Sequence, residues 1–155
     1  MTQADHRAEH DDDHESLAEW FRGGGGEVAA ADIAAGRQRF SPDLLAFGTH
    51  ADIVAGRDEV EAQQWAQVWP AIDDFWFEVD SMRTVISRDR LTAVAIVPWG
   101  SVGVGEDGQR FDRPGRATVV LERASIDAPW VGVHTHFSLA RGVPQRTFGQ
   151  RTAIR

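Results

Sequence analysis

The sequence predicts an α+β fold: a cone-shaped, curved antiparallel sheet wrapped over three N-terminal helices. The first observation is the hydrophobic spacing, which is helical before Asp74 and alternates like that of strands after it. The second is that short, turn-like segments join the later apolar runs, whereas parallel neighbours would need long crossovers. The third is the length of 155 residues, which is enough for one hydrophobic core. A sheet this long must twist and curl, so we expect the helices to cover its concave face.

Composition limits the chemistry that the chain can perform. It has no Cys, and its 16 basic residues are all Arg, so thiolate, disulfide and lysine chemistry are excluded. Tyr is also absent, which leaves Asp, Glu and the six His as general acids and bases. We expect neither a cofactor nor a bound metal.

The charge of the chain indicates which partners to expect. The net charge is -8, and acidic residues spread over the body of the chain while only its end is basic. Nucleic acid and anionic membranes favour a broad basic patch, so neither is an expected partner. The sequence has no apolar run of about 18 residues and no apolar signal region, which favours a cytoplasmic protein.

The chain divides into three parts. Residues 1–13 are polar and rich in Asp and His, which predicts a disordered acidic tail. Residues 14–142 form a single domain, and residues 143–155 form a basic C-terminal tail. Three histidines recur at every fourth position near the start: His6, His10 and His14. A tail lacks the hydrogen-bond partners that hold metal ligands in place, so we interpret them as solvated.

The first helix begins near Asp13. Its apolar side chains fall at helical spacing on one face: Leu17, Trp20 and Phe21. The run Gly23–Gly26 has no lysine after it and no strand before it, so we interpret it as a helix stop and not as a phosphate-binding loop. A second, Ala-rich helix spans roughly residues 28–39.

A turn at residues 41–43 and a short strand at 44–49 lead to the third helix. Asp58 is placed to cap this helix, and Glu61, three residues later, completes a capping box. The buried face of the helix comprises Val60, Trp65, Val68, Trp69 and Ile72. Pro70 disfavours further helix.

Four long strands complete the predicted sheet. They span residues 75–87, 91–102, 110–124 and 130–139. Between two of them, Gly103–Gly108 matches the GxGxxG pattern of dinucleotide sites, but the helix that such a site requires does not follow. The Asp107-Gly108 pair in this run favours a hairpin turn instead.

His134 and His136 are the first candidate site residues. They lie on one side of the last strand, whose other side carries apolar residues. Three interpretations remain open: residues of a subunit interface or hydrogen-bonded structural histidines, acid/base residues of a pocket, or two ligands of a metal. A metal would need a further ligand, for which His50 and Asp52 are candidates.

An apolar pocket is indicated by six Trp and eight Phe in a chain without Tyr. The indoles that could form its walls are Trp65, Trp69, Trp76 and Trp99. Arg116 opens the third long strand, and at the mouth of such a pocket it would bind a carboxylate through two hydrogen bonds. The alternative is that Arg116 is solvated or paired with Asp112.

The last strand resembles the ending of SnoaL-like domains, which belong to the nuclear transport factor 2-like superfamily. The resemblance rests on Trp130, His134, His136 and Ser138, in the pattern W..VH.H.S. The association domain of calcium/calmodulin-dependent protein kinase II has a similar ending. Earlier motifs that fit the resemblance are Phe47-Gly48-Thr49, Gly56, Trp65, Trp69-Pro70 and Asp74-Phe75. The likeness spans roughly residues 15–142.

The resemblance implies a cone-shaped α+β barrel, also described as a cystatin-like roll, with a pocket between helices and sheet. It also implies a homodimer through the outer face of the sheet. It does not imply one reaction, because the superfamily includes isomerases, cyclases, dehydratases and non-catalytic assembly modules. The arrangement of ketosteroid isomerases uses a Tyr, which this chain lacks.

Two hypotheses follow. The first is a protein that binds a small hydrophobic, carboxylate-bearing metabolite, with His134, His136 or Asp52 as the base of a cofactor-independent isomerisation, cyclisation or hydration. In that case His50, Arg116 and the tryptophans would bind the ligand. The second is a homo-oligomerisation module, in which the outer sheet face packs against a symmetry mate and the basic tail pairs with a neighbour's acidic N-terminus.

Overall fold

The computed structural model describes residues 2–155 and has the α+β architecture that the sequence predicts. Its α-helices are α1 (Gln3–Ala29), α2 (Ile33–Gly36), α3 (Arg57–Val60) and α4 (Ala66–Val68). Shorter helical turns cover Arg37–Arg39, Glu61–Trp65, Trp69–Ala71 and Val79–Ser81, of which Glu61–Trp65 is π-helical and joins α3 to α4. In residues 2–155 no helix is long and apolar enough to cross a membrane.

One curved sheet of eight strands wraps around the helices. Its strands are β1 (Phe40–Phe47), β2 (Val54–Ala55), β3 (Asp73–Phe77), β4 (Arg83–Ile86), β5 (Thr92–Val104), β6 (Arg110–Asp112), β7 (Gly115–Glu122) and β8 (Val131–Leu139). The order across the sheet is β2-β1-β8-β7-β5-β3, and β4 and β6 also pair with β5. Strand β1 runs parallel to β8, while the other paired strands are antiparallel.

Two of the four predicted long strands are divided. The segment predicted as one strand at 75–87 forms β3 and β4, which both pair with the same edge of β5. The segment predicted at 110–124 forms β6 and β7, which are separated at Arg113 and Pro114, since proline cannot donate a hydrogen bond to a sheet. The predicted hairpin turn is present, because β5 and β6 pair on either side of it.

Helix α1 begins at Gln3, earlier than the predicted start near Asp13. The Thr2 hydroxyl accepts a hydrogen bond from the Asp5 backbone N–H, and the Asp5 carboxylate accepts one from the Thr2 backbone N–H at 2.8 Å. This capping box stabilises the first turn. Residues 3–13 are therefore helical, in contrast to the predicted disordered tail, while Met1 lies outside the described residues.

Helix α1 continues through Gly23–Gly26, so the prediction that these four glycines stop the helix is wrong. A Cβ at Gly25 would lie 3.3 Å from the Phe77 ring, and a Cβ at Gly23 would lie 2.3 Å from Nη2 of Arg39. The glycines therefore allow α1 to lie close to β3 and to the Arg39 side chain. Tertiary contacts of this kind override the low helix propensity of glycine.

Gly26 provides a test of the continuous helix, because it is exposed and a Cβ there would meet nothing within 4 Å. We expect Gly26→Ala to raise the free energy of unfolding by about 0.5–1 kcal/mol, since Ala loses less backbone entropy in a helix. The matched variant Gly36→Ala should lower it, because its Cβ would lie 2.5 Å from the Trp69 ring. Urea denaturation measures both values, and a loss of stability in Gly26→Ala would contradict a helix at this position.

Helix α3 is not capped by Asp58, and the predicted capping box is therefore wrong. The helix begins at Arg57, after Gly56, whose φ of 95° is the left-handed conformation that favours glycine. Asp58 and Glu61 both bind the Arg37 guanidinium instead. The predicted apolar face is turned towards the core, with Val60, Trp65, Trp69 and Ile72 buried and Val68 half-buried.

Asp13 on α1 binds two arginines, one just before β5 and one just after β7. It is only 2% exposed, and its carboxylate accepts hydrogen bonds from Arg90 Nε at 2.6 Å and from Arg123 Nη2 at 2.8 Å. Burial alone would raise the pKa of Asp13, but the hydrogen bonds and charges of the two arginines hold this pKa below its usual value. The Arg123 guanidinium also lies over the Trp130 ring, 4.1 Å from its centroid.

The C-terminal tail folds back on the helices of its own chain. Arg151 donates hydrogen bonds to the carbonyl oxygens of Ala29 at 2.6 Å and Trp69 at 2.8 Å. The backbone N–H of Ile154 donates to the Ala31 carbonyl at 2.9 Å. Arg151 is thus occupied within its own chain and is not free for the predicted pairing with a neighbour's N-terminus.

Candidate functional site

A cavity of about 80 Å³ lies between the helices and the inner face of the sheet. Since one water needs roughly 10–15 Å³, this space holds several waters or a small organic molecule. Nine aromatic residues lie on its wall, and they include Trp20, Phe40, Trp65, Trp69, Trp99 and Phe137. The cavity therefore suits a ligand with an apolar body.

Arg113 is the buried cation of this cavity. Arg113 is 2% exposed and lies on the cavity wall. Among residues 2–155 no carboxylate forms an ion pair with its guanidinium. Nη1 donates a hydrogen bond to Ser101 Oγ at 3.3 Å, and Nη2 donates one to Thr49 Oγ1 at 3.2 Å. Burial lowers the pKa of the guanidinium to about 10, so it stays positively charged at neutral pH.

Two buried N–H donors of this region lack an acceptor within the described chain. They are Nε of Arg113 and Nε1 of Trp99, and the guanidinium lies over the indole, 5.7 Å from its centroid. Buried polar groups in proteins are nearly always hydrogen-bonded, so two unpaired donors are unusual. Their chemistry suits an acceptor oxygen of a ligand.

The sheet places Arg113 on its inner face. Ser101 and Arg113 exchange both backbone hydrogen bonds, with N···O distances of 3.2 and 2.9 Å, which fixes the two residues opposite each other. Ser101 continues the inward alternation of Val97 and Trp99 along β5. Arg113 likewise continues the inward positions of β7, on which Ala117 is buried.

Gln64 positions the Thr49 hydroxyl that contacts Arg113. Its Oε1 accepts hydrogen bonds from the backbone N–H groups of His50 at 3.2 Å and Ala51 at 2.7 Å, while its Nε2 donates to Thr49 Oγ1 at 3.4 Å. Gln64 lies in the π-helical stretch between α3 and α4, and such wide turns are frequent at functional sites. The loop after β1 is thereby held against the cavity.

A second polar group on the wall is an ion pair between Glu27 and Arg39. Arg39 donates to both carboxylate oxygens of Glu27, from Nε at 2.7 Å and from Nη2 at 2.9 Å. Both residues line the cavity and are about one-quarter exposed or less. Gly23 and Gly24 leave the space in which the Arg39 side chain lies.

The predicted aromatic walls divide into two groups. Trp65, Trp69 and Trp99 are buried and lie on the cavity wall. Trp76 does not: it is 53% exposed and packs over Gly100, where a Cβ would lie 2.2 Å from its ring. Side chains alternate between the two faces along β3, so Trp76 lies on the outer face, whereas Phe75 and Phe77 line the cavity.

His134 and His136 lie on the outer face of the sheet and not on the cavity wall. Nδ1 of His134 lies 2.8 Å from the Leu45 carbonyl oxygen. A carbonyl can only accept, so Nδ1 is the donor in this hydrogen bond. The His136 ring packs on Phe47 with centroids 4.2 Å apart.

The other predicted site residues also lie outside the cavity. Arg116 is exposed on the outer sheet face, where its Nε donates to Ser138 Oγ at 3.3 Å, and not at the cavity mouth. His50 and Asp52 are exposed in the loop after β1. Across residues 2–155 no three His, Asp or Glu side chains come close enough to bind a metal ion.

Several solved structures with the same architecture share 11–19% sequence identity with this chain. A Xanthomonas campestris protein assigned as a calcium/calmodulin-dependent protein kinase II association domain has 18% identity over 82% of this chain and 87% of its own, with a TM-score of 0.67. A nuclear transport factor 2-like superfamily protein from Salmonella enterica has 19% identity over 86% and 99%, with a TM-score of 0.64. A ketosteroid isomerase-like protein from Erwinia carotovora has 17% identity over 83% and 93%, with a TM-score of 0.60.

These likenesses show the fold, which is that of the nuclear transport factor 2-like and cystatin-like proteins. No curated protein matches the sequence. The sequence profile of the SnoaL-like domain matches residues 26–142, which include Arg113, all eight strands and most of the cavity wall. The chain therefore belongs to the SnoaL-like domain family.

Proposed function

We propose that this protein binds a small carboxylate with a compact apolar body in the cavity between its helices and its sheet. The observation that supports the proposal is Arg113, a buried and charged guanidinium without an ion-pair partner among residues 2–155. The aromatic wall supplies the apolar surroundings for the rest of the ligand.

A cation removed from water is strongly destabilising unless a counter-charge and hydrogen bonds compensate it. A carboxylate would supply both, because its two oxygens match the paired N–H groups of a guanidinium. The Arg113 Nε and Trp99 Nε1 donors, which lack partners within residues 2–155, would then have acceptors.

Glu27 is the carboxylate on the cavity wall that could accept a proton from a ligand. The predicted bases lie outside the cavity: His134, His136 and Asp52. Glu27 lines the wall, and its two hydrogen bonds from Arg39 fix the orientation of its carboxylate. The isomerase-like name of the Erwinia relative supports small-molecule chemistry in this fold. We propose binding as the primary function, with Glu27 as the candidate base.

Competition in native mass spectrometry tests the class of ligand. The protein is mixed with small carboxylic acids, aryl and branched-alkyl, together with the neutral amide of each acid. We expect 1:1 adducts with acids and none with the matched amides, because only the acids carry a charge to neutralise Arg113. Equal occupancy by acids and amides would contradict a carboxylate site.

A second candidate function is self-association through the outer face of the sheet. A mainly apolar row crosses five strands on this face: Leu45, His134, Val120, Val94 and Val85. Leu45 and Val85, at the two ends of the row, are 50% and 65% exposed, and the three residues between them are half-buried. Accessible apolar side chains in a row of this kind mark protein interfaces. The Xanthomonas relative is described as an association domain, which also supports this proposal.

Sedimentation velocity over a range of concentrations tests self-association. We expect the protein to form a dimer and Val94→Asp to be monomeric, because a carboxylate in the middle of the row would be desolvated without a partner. Circular dichroism checks that the variant remains folded. A monomer at every concentration of the unchanged protein would contradict the proposal.

A further inference from the structure

We propose that two copies of this chain face each other with their β7 strands antiparallel, so that Arg116 of each copy pairs with Glu122 of the other. The proposal rests on the self-association described above and adds the register of the two subunits. It assigns to Arg116 a role at a subunit interface, where the sequence had suggested ligand binding.

The first observation is the order of the outward side chains on β7. Alternate residues of this strand point outwards, and they are Arg116, Thr118, Val120 and Glu122. The two charged residues are exposed, and the two between them are half-buried. The strand thus presents a positive end, an uncharged centre and a negative end.

The second observation is that these charges lack ion-pair partners in their own chain. Arg116 donates a hydrogen bond to the neutral Ser138 hydroxyl, at 3.3 Å. Within residues 2–155 no opposite charge lies within ion-pair distance of either Arg116 or Glu122. Both charges are therefore available to a second molecule that meets the apolar row between them.

A two-fold axis through the centre of β7 makes this surface complementary to itself. With the axis near Val119, Thr118 faces Val120 of the partner subunit and Arg116 faces Glu122 of the partner subunit. The two ion pairs then lie about 20 Å apart, because six residues of strand separate them in the chain. Sheets packed face to face are about 10 Å apart with their strands aligned to within about 30°, a gap that Arg and Glu side chains can bridge together.

Other arrangements of the two sheets bring like charges together or leave the charges unpaired. Parallel β7 strands would place Arg116 opposite Arg116 and Glu122 opposite Glu122. Orthogonal packing would move both charges away from any opposite charge of the partner's β7. Arg83, a further outward charge, lies on β4, two strands from β7, and does not change the pattern along β7. Charge complementarity therefore favours a second copy of this chain in the antiparallel register.

Charge reversal tests the register. Sedimentation equilibrium would measure the dimer dissociation constant of the unchanged protein, Arg116→Glu, Glu122→Arg and the double variant, with Val94→Asp as the interface control. By symmetry each single reversal creates two like-charge contacts, so we expect each to weaken the dimer by about tenfold. The double variant should return to within about threefold of the unchanged protein, because it restores both pairs in reverse. Added salt should reduce these differences.

These measurements test the Arg116–Glu122 register separately from the existence of the interface. A dimer that Val94→Asp dissociates, but that the single reversals leave unchanged or the double variant fails to restore, overturns the Arg116–Glu122 pairing and leaves the interface standing. A protein that is monomeric throughout overturns both proposals. Loss in both single variants with recovery in the double variant supports the pairing.

Discussion

Replacing Arg113 by Met should make the empty protein more stable while removing its affinity for carboxylates. The guanidinium is buried among aromatic rings with only two long hydrogen bonds, and the lowered pKa reflects the cost of keeping its charge there. Met has a similar length and no charge, so we expect the free energy of unfolding to rise by about 1–3 kcal/mol. Urea denaturation in buffer without carboxylates measures this change.

A matched control is Arg88→Met, since Arg88 is exposed. This variant should change the free energy of unfolding by less than about 0.5 kcal/mol. If Arg113→Met were destabilised instead, Arg113 would be a structural residue whose contacts outweigh the cost of its burial. Such a result would remove the main argument for a ligand at this position.

A gain of stability with a loss of binding is the pattern expected of a functional residue. Binding sites hold groups in unfavourable surroundings because the ligand compensates them, and proteins retain such groups at the expense of stability. The expected opposite signs for folding and binding in Arg113→Met distinguish this account from one in which Arg113 only supports the fold.

Asp13→Asn should lower the free energy of unfolding by about 3 kcal/mol or more. Its carboxylate is the counter-charge of Arg123, which is almost fully buried, and of Arg90. Removing one partner of a buried ion pair leaves the other charge uncompensated, which is more costly than the absence of the pair. Thermal or urea denaturation at pH 7 measures the loss, and Asp12→Asn, an exposed neighbour on α1, is the control.

The ion pairs of Asp13 with Arg90 and Arg123 also predict how the free energy of unfolding depends on pH. The pKa of Asp13 is lower in the folded protein than in the unfolded chain, so the unfolded state takes up the proton first as the pH falls. The contribution of Asp13 is therefore complete above about pH 4 and is lost as the pH falls through the folded pKa. The difference between the unchanged protein and Asp13→Asn should narrow below pH 4. A difference that stays constant from pH 7 to pH 3 would contradict the role of the Asp13 charge.

The sequence could predict the fold because its main signals are local. The change from helical to alternating spacing near Asp74 and the short connections between strands are visible without any tertiary information. The parallel pairing of β1 with β8 joins residues far apart in the chain, so nothing local could reveal it. The ion pairs of Asp13 depend in the same way on residues about 80 and 110 positions away.

Alternation along β7 distinguishes Arg113, on the inner face of the sheet, from Arg116, on the outer face. Ala117, Val119 and Leu121 are the apolar positions of β7, and counting back from them in steps of two leads to Arg113. Arg116 shares its parity with Glu122 and so belongs to the outer face. The interruption at Pro114 concealed this relation, because it is not evident from the sequence that alternation continues through a proline.

The glycine run was misinterpreted for a different reason, while for the histidines the sequence left a subunit interface, a pocket and a metal site open. Gly23–Gly26 has the composition of a helix stop, and only the neighbouring Arg39 and Phe77 side chains explain why a helix continues there. His134 and His136 have the composition of an active site, but the face on which they lie is set by the burial of Thr135 and Phe137 against the cavity. In both cases packing against the rest of the chain decided the outcome.

Isothermal titration calorimetry of benzoate and benzamide with the unchanged protein and with Arg113→Met at pH 7 tests directly whether Arg113 binds a carboxylate. We expect benzoate to bind the unchanged protein with 1:1 stoichiometry and benzamide to bind at least about 30-fold more weakly, because losing one partner of a buried charge pair costs about 2–5 kcal/mol. We expect no preference for benzoate in Arg113→Met. Equal affinity of the two variants for benzoate would contradict the assignment of Arg113 as the carboxylate-binding residue.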